Sequence, residues 1–235
     1  MIKNEIEGYG QVLQSHLLNA QPTISHYSSL RESLEPERGV WMPRQVHGVE
    51  IIELDEECLA AEVPEADAVI TRLKGQWIGV RTADCVPVLL CDTEAGVVAA
   101  VHAGWRGTVR HIVRLTLQRM VESFHCRPET ILAMVGPSIS PNAFEVGEEV
   151  ADAFVQADRS ECVLRSLWGP RGVQRFAKPH VDLWQSNVMD LLEVGVDLQH
   201  IDCTPWCTYE HYQQLFSARR EGIGTGRIVS AIQIK

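Results

Sequence analysis

Two apolar runs, Val86–Leu90 and Val97–Val101, constrain this chain more than any other feature. Each is short, rich in β-branched residues and almost uninterrupted, the pattern of a strand buried on both faces. Cys91 to Gly96 lies between them as a short connection. The borders of the runs carry residues that a core does not choose. Asp84 and Cys85 open the first strand, and His102, Trp105 and Arg106 follow the second. Gly104 and Gly107 are expected to let the backbone turn sharply there. An ionisable cluster at strand ends, followed by a helix, is where layered sheet proteins place chemistry. Taken singly, Cys85 also reads as a small buried hydrophobe and His102 as a satisfied turn histidine; clustering with Asp84, Trp105 and Arg106 favours a site.

The rest of the chain interleaves strands and helices, so the expected fold class is mixed α/β, one domain over residues 1–235. Strands are expected at Val40 to Gly48, Val49 to Leu54, Ala66 to Thr71, Trp77 to Arg81, Ile131 to Val135 and Ile201 to Thr204. Thr108 reads as the N-cap of a helix that follows it and is stopped by Pro128. A second helix spans Glu148 to Ala157, and a third starts at Asp182 and ends at Gly195. Arg159 to Lys178 reads as a loop insertion, and Leu215 to Arg219 with Arg227 to Ile234 as an antiparallel pair. Residues 1–40 carry the weakest pattern: Val12, Leu13, Leu17 and Leu18 allow a short helix or strand.

Composition narrows the functional classes. A formal net charge of −10 argues against a surface that grips nucleic acid, while leaving room for a local basic pocket and small anionic substrates. No apolar run is long enough to span a bilayer and the N-terminus has no signal-peptide core, so a cytoplasmic protein without a membrane partner is expected. Seven scattered cysteines suit reduced thiols; Cys203 and Cys207 alone make at most half a metal site. Oligomeric state is not readable.

The candidate polar set is His47, Asp84, Cys85, His102 and Arg106, with Glu145 and Arg219. Two imidazoles and a thiolate, His47, Cys85 and His102, make a three-ligand Zn²⁺ site with a fourth position open to water or substrate. A metal-free alternative makes Cys85 a thiolate nucleophile and His102 its base. Arg106 can fork onto a phosphate, or be a solvated turn arginine. Asp84 or Glu145 can shuttle protons, although Glu145 also suits a helix N-terminus. Trp105 can stack on a base or pack in the core.

Several segments resemble the polyphenol oxidase, or laccase-domain, family, also described as purine nucleoside phosphorylases. They are Gln45-Val46-His47-Gly48, Thr82-Ala83-Asp84-Cys85, Val101-His102-Ala103-Gly104-Trp105-Arg106-Gly107, and Gly136-Pro137-Ser138-Ile139 with Phe144-Glu145-Val146. Asp182-Leu183-Trp184 with Asn187, Cys207-Thr208, and Phe216-Ser217 with Arg219-Arg220 extend the match over roughly residues 40 to 235. The resemblance implies a four-layer α-β-β-α sandwich, similar to that of a deamidase toxin with a Cys–His pair. It implies His47, Cys85 and His102 as metal ligands. Residues 1–40 depart from the pattern, because the family's serine–threonine–arginine and double-glycine segment is missing. A strand and an arginine that border the pocket in the family are therefore expected to be absent or replaced.

The implied activity is broad purine nucleoside chemistry: phosphorolysis of adenosine, inosine and methylthioadenosine, with phosphate held by Arg106 or Arg219, and zinc-assisted deamination of adenosine. Three alternatives accompany it. One is amide hydrolysis in peptidoglycan precursor editing, described for a bacterial member of the family; another is a metal-binding scaffold without turnover. The third is a copper-dependent polyphenol oxidase. The nine histidines contain no His-x-His pair, so a single type-1-like copper at His47, Cys85 and His102 is conceivable and a trinuclear oxygen-reducing centre is not.

Overall fold

The computed structural model describes residues 1–169, 172–203 and 205–235, excepting the side chains of residues 167–175. In chain order the strands are β1 (Ile2–Ile6), β2 (Gly10–Gln14), β3 (Ile24–Ser29), β4 (Val40–Trp41), β5 (Ile51–Leu54), β6 (Ala68–Thr71) and β7 (Trp77–Thr82). They continue as β8 (Val86–Asp92), β9 (Val97–Ala103), β10 (Ile131–Val135), β11 (Val163–Gly169), β12 (Gly172–Val181), β13 (Ile201–Cys203) and β14 (Ile228–Ile234). The helices are α1 (His16–Asn19), α2 (Glu56–Ala60), α3 (Trp105–Thr108), α4 (Ile112–Phe124), α5 (Glu148–Gln156), α6 (Leu183–Val194) and α7 (Ala218–Glu221).

Among the described residues the strands form two six-stranded sheets and one ribbon. The first sheet has the order β1-β2-β3-β14-β7-β4, and the second β13-β10-β8-β9-β6-β5. The two apolar runs are the central hairpin of the second sheet, paired antiparallel from Val86↔Ala103 to Asp92↔Val97. Their lack of alternation has a direct cause. Val88, Leu90, Ala99 and Val101 pack with Leu117, Met120 and Leu191 of the helical layer. Leu89, Cys91, Val98 and Ala100 pack with Ile78, Val80 and Ile232 of the first sheet. Each large side chain so buried stabilises the fold by roughly 1.5–3 kcal/mol before entropy is counted. On its outer face the first sheet clusters Tyr9, Tyr27 and Trp77. The segment that follows β3 crosses this face: Tyr27 Oη donates to the Pro36 carbonyl and Tyr9 Oη to that of Arg38. The mixed α/β class expected from the sequence is what is found.

Several local readings change. Residues 1–40 build three strands of the first sheet. Thr108 ends α3; the N-cap of α4 is His111, in a left-handed conformation at φ 58°. The segment expected as one strand from Val40 to Gly48 is strand at Val40–Trp41 alone, because residues 46–48 wrap around a carboxylate described below. The expected loop insertion holds the antiparallel ribbon β11–β12, with buried Arg159 at its entrance paired to Asp190 and Glu193. Leu215 to Arg219 does not pair with β14. Ser217 caps α7 by accepting from the Arg220 amide, and β14 pairs with β3 and β7 instead. Asp182 and Gly195 do cap α6, the latter at φ 106°. The end of the strand at Ile201 falls on Thr204, outside the described residues. All seven cysteines are free. No described helix is long and apolar enough to cross a membrane.

Candidate metal centre and active site

The second sheet is apolar through its middle, so its ionisable groups collect at strand ends. Cys85 precedes β8, and His102 is the penultimate residue of β9. His47 comes from the turn between β4 and β5, with φ 59°. One ligand atom from each of His47, Cys85 and His102 lies within 4.8 Å of the others. Cys85 Sγ is 3.9 Å from His47 Nε2, and the two imidazoles meet edge-on with centroids 4.8 Å apart.

Asp67, the residue before β6, assembles this trio. It is fully buried. Its Oδ1 accepts from the His47 amide at 2.9 Å, and its Oδ2 from the amides of Val46 and Gly48 at 3.2 and 2.6 Å. Oδ1 also lies 2.7 Å from His102 Nδ1. One carboxylate thus fixes both the His47 turn and the ring orientation of His102, leaving Nε2 of His102 available as a ligand. In the sequence Asp67 falls inside the strand expected at Ala66 to Thr71, and the signal that marks it is a lone carboxylate between Ala66 and Ala68 at the edge of an apolar run.

The glycines act here by closeness rather than by turning. Gly104 has an ordinary φ of −69°. A Cβ on it would stand 3.1 Å from both Cys85 Sγ and His47 Cδ2. Gly107 is helical, and a Cβ there would meet the Gly48 carbonyl at 3.2 Å.

Electrostatics follow from the packing. Burial alone would push the Cys85 thiol up, but the His102 charge and the hydrogen bonds of both imidazoles outweigh it and hold the thiol down at about 6. Burial would lower His102, but Cys85 and Asp67 together raise it to about 9. Burial would likewise raise Asp67, yet His102 and the amides of Gly48 and Val46 pull it below the ordinary carboxylate value. A thiolate and two imidazoles in contact are a soft, borderline donor set suited to Zn²⁺ or copper. With metal–ligand bonds of about 2.0–2.3 Å, tetrahedral ligands lie about 3.3–3.7 Å apart, so the three atoms need to close by at most about 1.5 Å to share one ion. The residues therefore fit a metal.

The trio opens into a cavity of about 510 Å³, also lined by Pro43, Arg44, Gln45, Arg81, Thr82, Ala83, Ala218, Ile223 and Arg227. The other expected site residues lie elsewhere. Asp84 adjoins Cys85, but both its carboxylate oxygens are engaged, by Thr208 Oγ1 at 2.6 Å and by the Arg219 amide at 2.7 Å. Glu145 and Arg219 line a neighbouring cavity with Trp105, Phe144 and Lys178. There Arg219 Nη1 donates to the Glu145 carbonyl at 2.8 Å and Lys178 pairs with Glu145 at 3.2 Å. Arg106 is exposed, its guanidinium 4.4 Å above the Trp105 ring. Consecutive residues serve the two cavities: Ala218 lines the first and Arg219 the second.

The fold and this centre define a two-sheet α/β sandwich with a His–Cys–His cluster at the mouth of its inner sheet. The family described as multi-copper polyphenol oxidoreductase laccase matches residues 21–235, and the chain belongs to that family. A purine nucleoside phosphorylase of Bacteroides thetaiotaomicron is 42% identical over 231 residues, covering 97% of this chain and 77% of the relative. Adenosine deaminase RL5, from an unknown prokaryotic organism, is 39% identical over 207 residues, 83% of this chain and 74% of the relative. Among solved structures, YlmD from Geobacillus stearothermophilus superposes with a TM-score of 0.82 at 23% identity, covering 99% of this chain and 98% of that one.

Proposed function

We propose that this chain is a zinc-dependent purine nucleoside enzyme, cleaving adenosine, inosine and methylthioadenosine with phosphate and deaminating adenosine. The observation that carries the reading is the convergence of His47, Cys85 and His102 on one point, braced by Asp67, in a cavity lined, among the described residues, by arginines and no carboxylate. The similar proteins named above, a purine nucleoside phosphorylase and an adenosine deaminase, support the nucleoside part of the reading.

In phosphorolysis a phosphate oxygen bonds to the sugar C1′ as the bond to the base nitrogen breaks, and the base leaves with a proton. In deamination a water oxygen adds at C6 of adenine and ammonia departs. His47, Cys85 and His102 would hold the ion, which supplies Lewis acidity and an acidified water. Asp67 keeps His102 in the ligating orientation. Asp84 has a positioning role in this reading, tying Thr208 and Arg219 to the start of β8. Thr82 and His102, on the sheet side of the cavity, are buried.

The test is incubation with adenosine, with and without phosphate, followed by chromatography. Adenine with ribose-1-phosphate, and inosine, are the expected products; Cys85→Ala should form neither. Absence of all three from zinc-replete wild type overturns the reading. A second reading has its own observation. Cys85, His102 and Asp67 line up as thiolate, imidazolium and orienting carboxylate, the arrangement of a cysteine amide hydrolase. Amide cleavage that survives chelation of metal would favour it.

A further inference from the structure

We propose that Arg81, Thr82 and Arg227 form an oxyanion subsite for the phosphate class within the metal cavity. This rests on the nucleoside reading above and locates its second substrate.

The first observation is charge. Among the described residues the cavity lining carries Arg44, Arg81 and Arg227 and no Asp or Glu; Arg44 and Arg81 are paired to Glu65 and Glu37 outside the lining, each at 2.7 Å, which leaves Arg227 as its unpaired positive charge. An unpaired guanidinium at the wall of a hollow attracts a small anion. The second is how these arginines are held. Glu37 takes Nε and Nη2 of Arg81, each at 2.7 Å, which fixes the guanidinium and leaves Nη1 without a partner among the described residues. Arg227 donates only to backbone carbonyls, those of Ile223, Thr225 and Gly226, and meets no carboxylate among the described residues. Its charge is therefore oriented but not neutralised. Planar guanidinium groups fixed in this way suit the forked recognition of phosphate oxygens.

The third observation is independent of charge. Thr82 is 1% exposed and its Oγ1 has no hydrogen-bond partner, although it lines the same cavity. A buried hydroxyl left unpaired costs free energy unless something else satisfies it. The sheet register brings the pieces together: Thr82 of β7 is paired with Ile228, the first residue of β14, so Arg227, the residue before that strand, comes next to the end of β7. A phosphate oxygen that accepts from Thr82 while the guanidinium groups bind its other oxygens accounts for all three features. Arg106, stacked on Trp105 outside this cavity, has none of them.

The experiment titrates the full-length protein with inorganic phosphate by calorimetry, with AMP as a second arm, and measures the phosphate KM with adenosine. Arg227→Met and Arg81→Met should weaken phosphate binding at least tenfold. Thr82→Val should weaken it severalfold while raising the melting temperature, because it removes an unpaired buried hydroxyl; a merely structural threonine would not give that opposite pair of changes. Binding of inorganic phosphate assigns the subsite to the free ion. Arg227-dependent binding of AMP without inorganic phosphate assigns it to a phosphoryl group carried on the nucleoside. Phosphate affinity within twofold of wild type in both Arg227→Met and Thr82→Val overturns the proposal, as does loss confined to Arg106→Met. Arg227-dependent phosphate binding without nucleoside turnover keeps the subsite and overturns the nucleoside reading. Turnover with an unaltered phosphate KM in these variants does the reverse.

Discussion

The two sheets bury different chemistry. The central strands of the second sheet bury apolar side chains on both faces. The first sheet buries His26, Ser28, Ser29 and Ser230 as well, and Ser28 Oγ meets Ser230 Oγ at 2.7 Å inside it. A sheet with an apolar middle has nowhere to satisfy an ionised group except at its ends, so the candidate centre forms at the mouth of the β8–β9 hairpin. The first sheet distributes its polar groups along its length and pairs Ser28 with Ser230 and His26 Nε2 with the Ser15 amide, while Thr82 Oγ1 at its end stays unpaired. Function should therefore be sensitive at the mouth of the second sheet, where Cys85, His102 and Asp67 are coupled, while His26 gives the first sheet a pH-dependent stability of its own.

The largest effect tests that division. Cys85→Ala should lower nucleoside turnover by about a thousandfold or more. Metal content should fall from about one zinc per chain to near zero by elemental analysis, with little change in stability. Glu145→Gln, in the neighbouring cavity, should leave bound metal unchanged. Equal metal in wild type and Cys85→Ala would break the comparison at its strongest point.

Next comes the carboxylate that joins structure to site. Asp67→Asn replaces an acceptor of three backbone N–H groups and one imidazole. It should weaken zinc about 10–100-fold, as for the loss of a partner behind a ligand. Unfolding free energy should drop by about 3 kcal/mol, since buried donors lose a charged acceptor. Zinc competition and urea denaturation read the two effects separately. A stability loss without a change in zinc affinity would make Asp67 purely structural.

The difference between the sheets also explains what the sequence revealed. The β8–β9 hairpin and its polar flanks were legible because strands buried on both faces leave uninterrupted runs, and Cys85 and His102 interrupt them at the ends. Strands β1 and β3 were not legible, because Lys3, Asn4, Ser25, His26 and Ser28 blur the alternation on which strand reading depends, whereas Val12 and Leu13 of β2 allowed a short helix or strand. The trio was recognisable from residue types and resemblance. Asp67 was not, since its role comes from folding back onto residues 46–48, about twenty positions away. The expected grouping of Arg106 with the candidate metal ligands followed closeness along the chain, and Glu145 and Arg219 lie in segments that carry the family resemblance. In space, consecutive residues on either side of one wall face different cavities. The arginines of the metal cavity, at 44, 81 and 227, come from three separate segments that no local motif joins.

A third prediction concerns the first sheet alone. Burial lowers His26 to about 4, with Asp202 pulling weakly the other way. Its Nε2 accepts from the Ser15 amide at 2.8 Å, which requires the neutral ring. The unfolded chain binds this proton near 6.5, so between pH 6.5 and 4 the unfolded state holds more protons and stability rises with pH. Moving from pH 7 to 5 should cost about 2 kcal/mol through this one residue. Denaturation curves of wild type and His26→Gln at the two pH values isolate it. The variant should lose that much less on acidification, and identical pH slopes would remove His26 from the account.

The smallest effect probes the mouth of the second sheet without touching a ligand. Gly104 has backbone angles that alanine adopts freely, so Gly104→Ala carries no conformational strain. Its only cost is contact, with Cβ at 3.1 Å from Cys85 Sγ and from His47 Cδ2. Both neighbours must give by a few tenths of an ångström, and both are candidate ligands. The global stability change should stay within about 1 kcal/mol, near the low end for added bulk in a packed site. Zinc affinity should fall up to about tenfold, because the two ligand atoms are pushed off a shared centre while the fold around them stands. Zinc competition beside thermal melting measures the pair. Unchanged affinity would mean that His47 and Cys85 have slack at this wall, and that bracing by Asp67 alone sets the geometry of the centre.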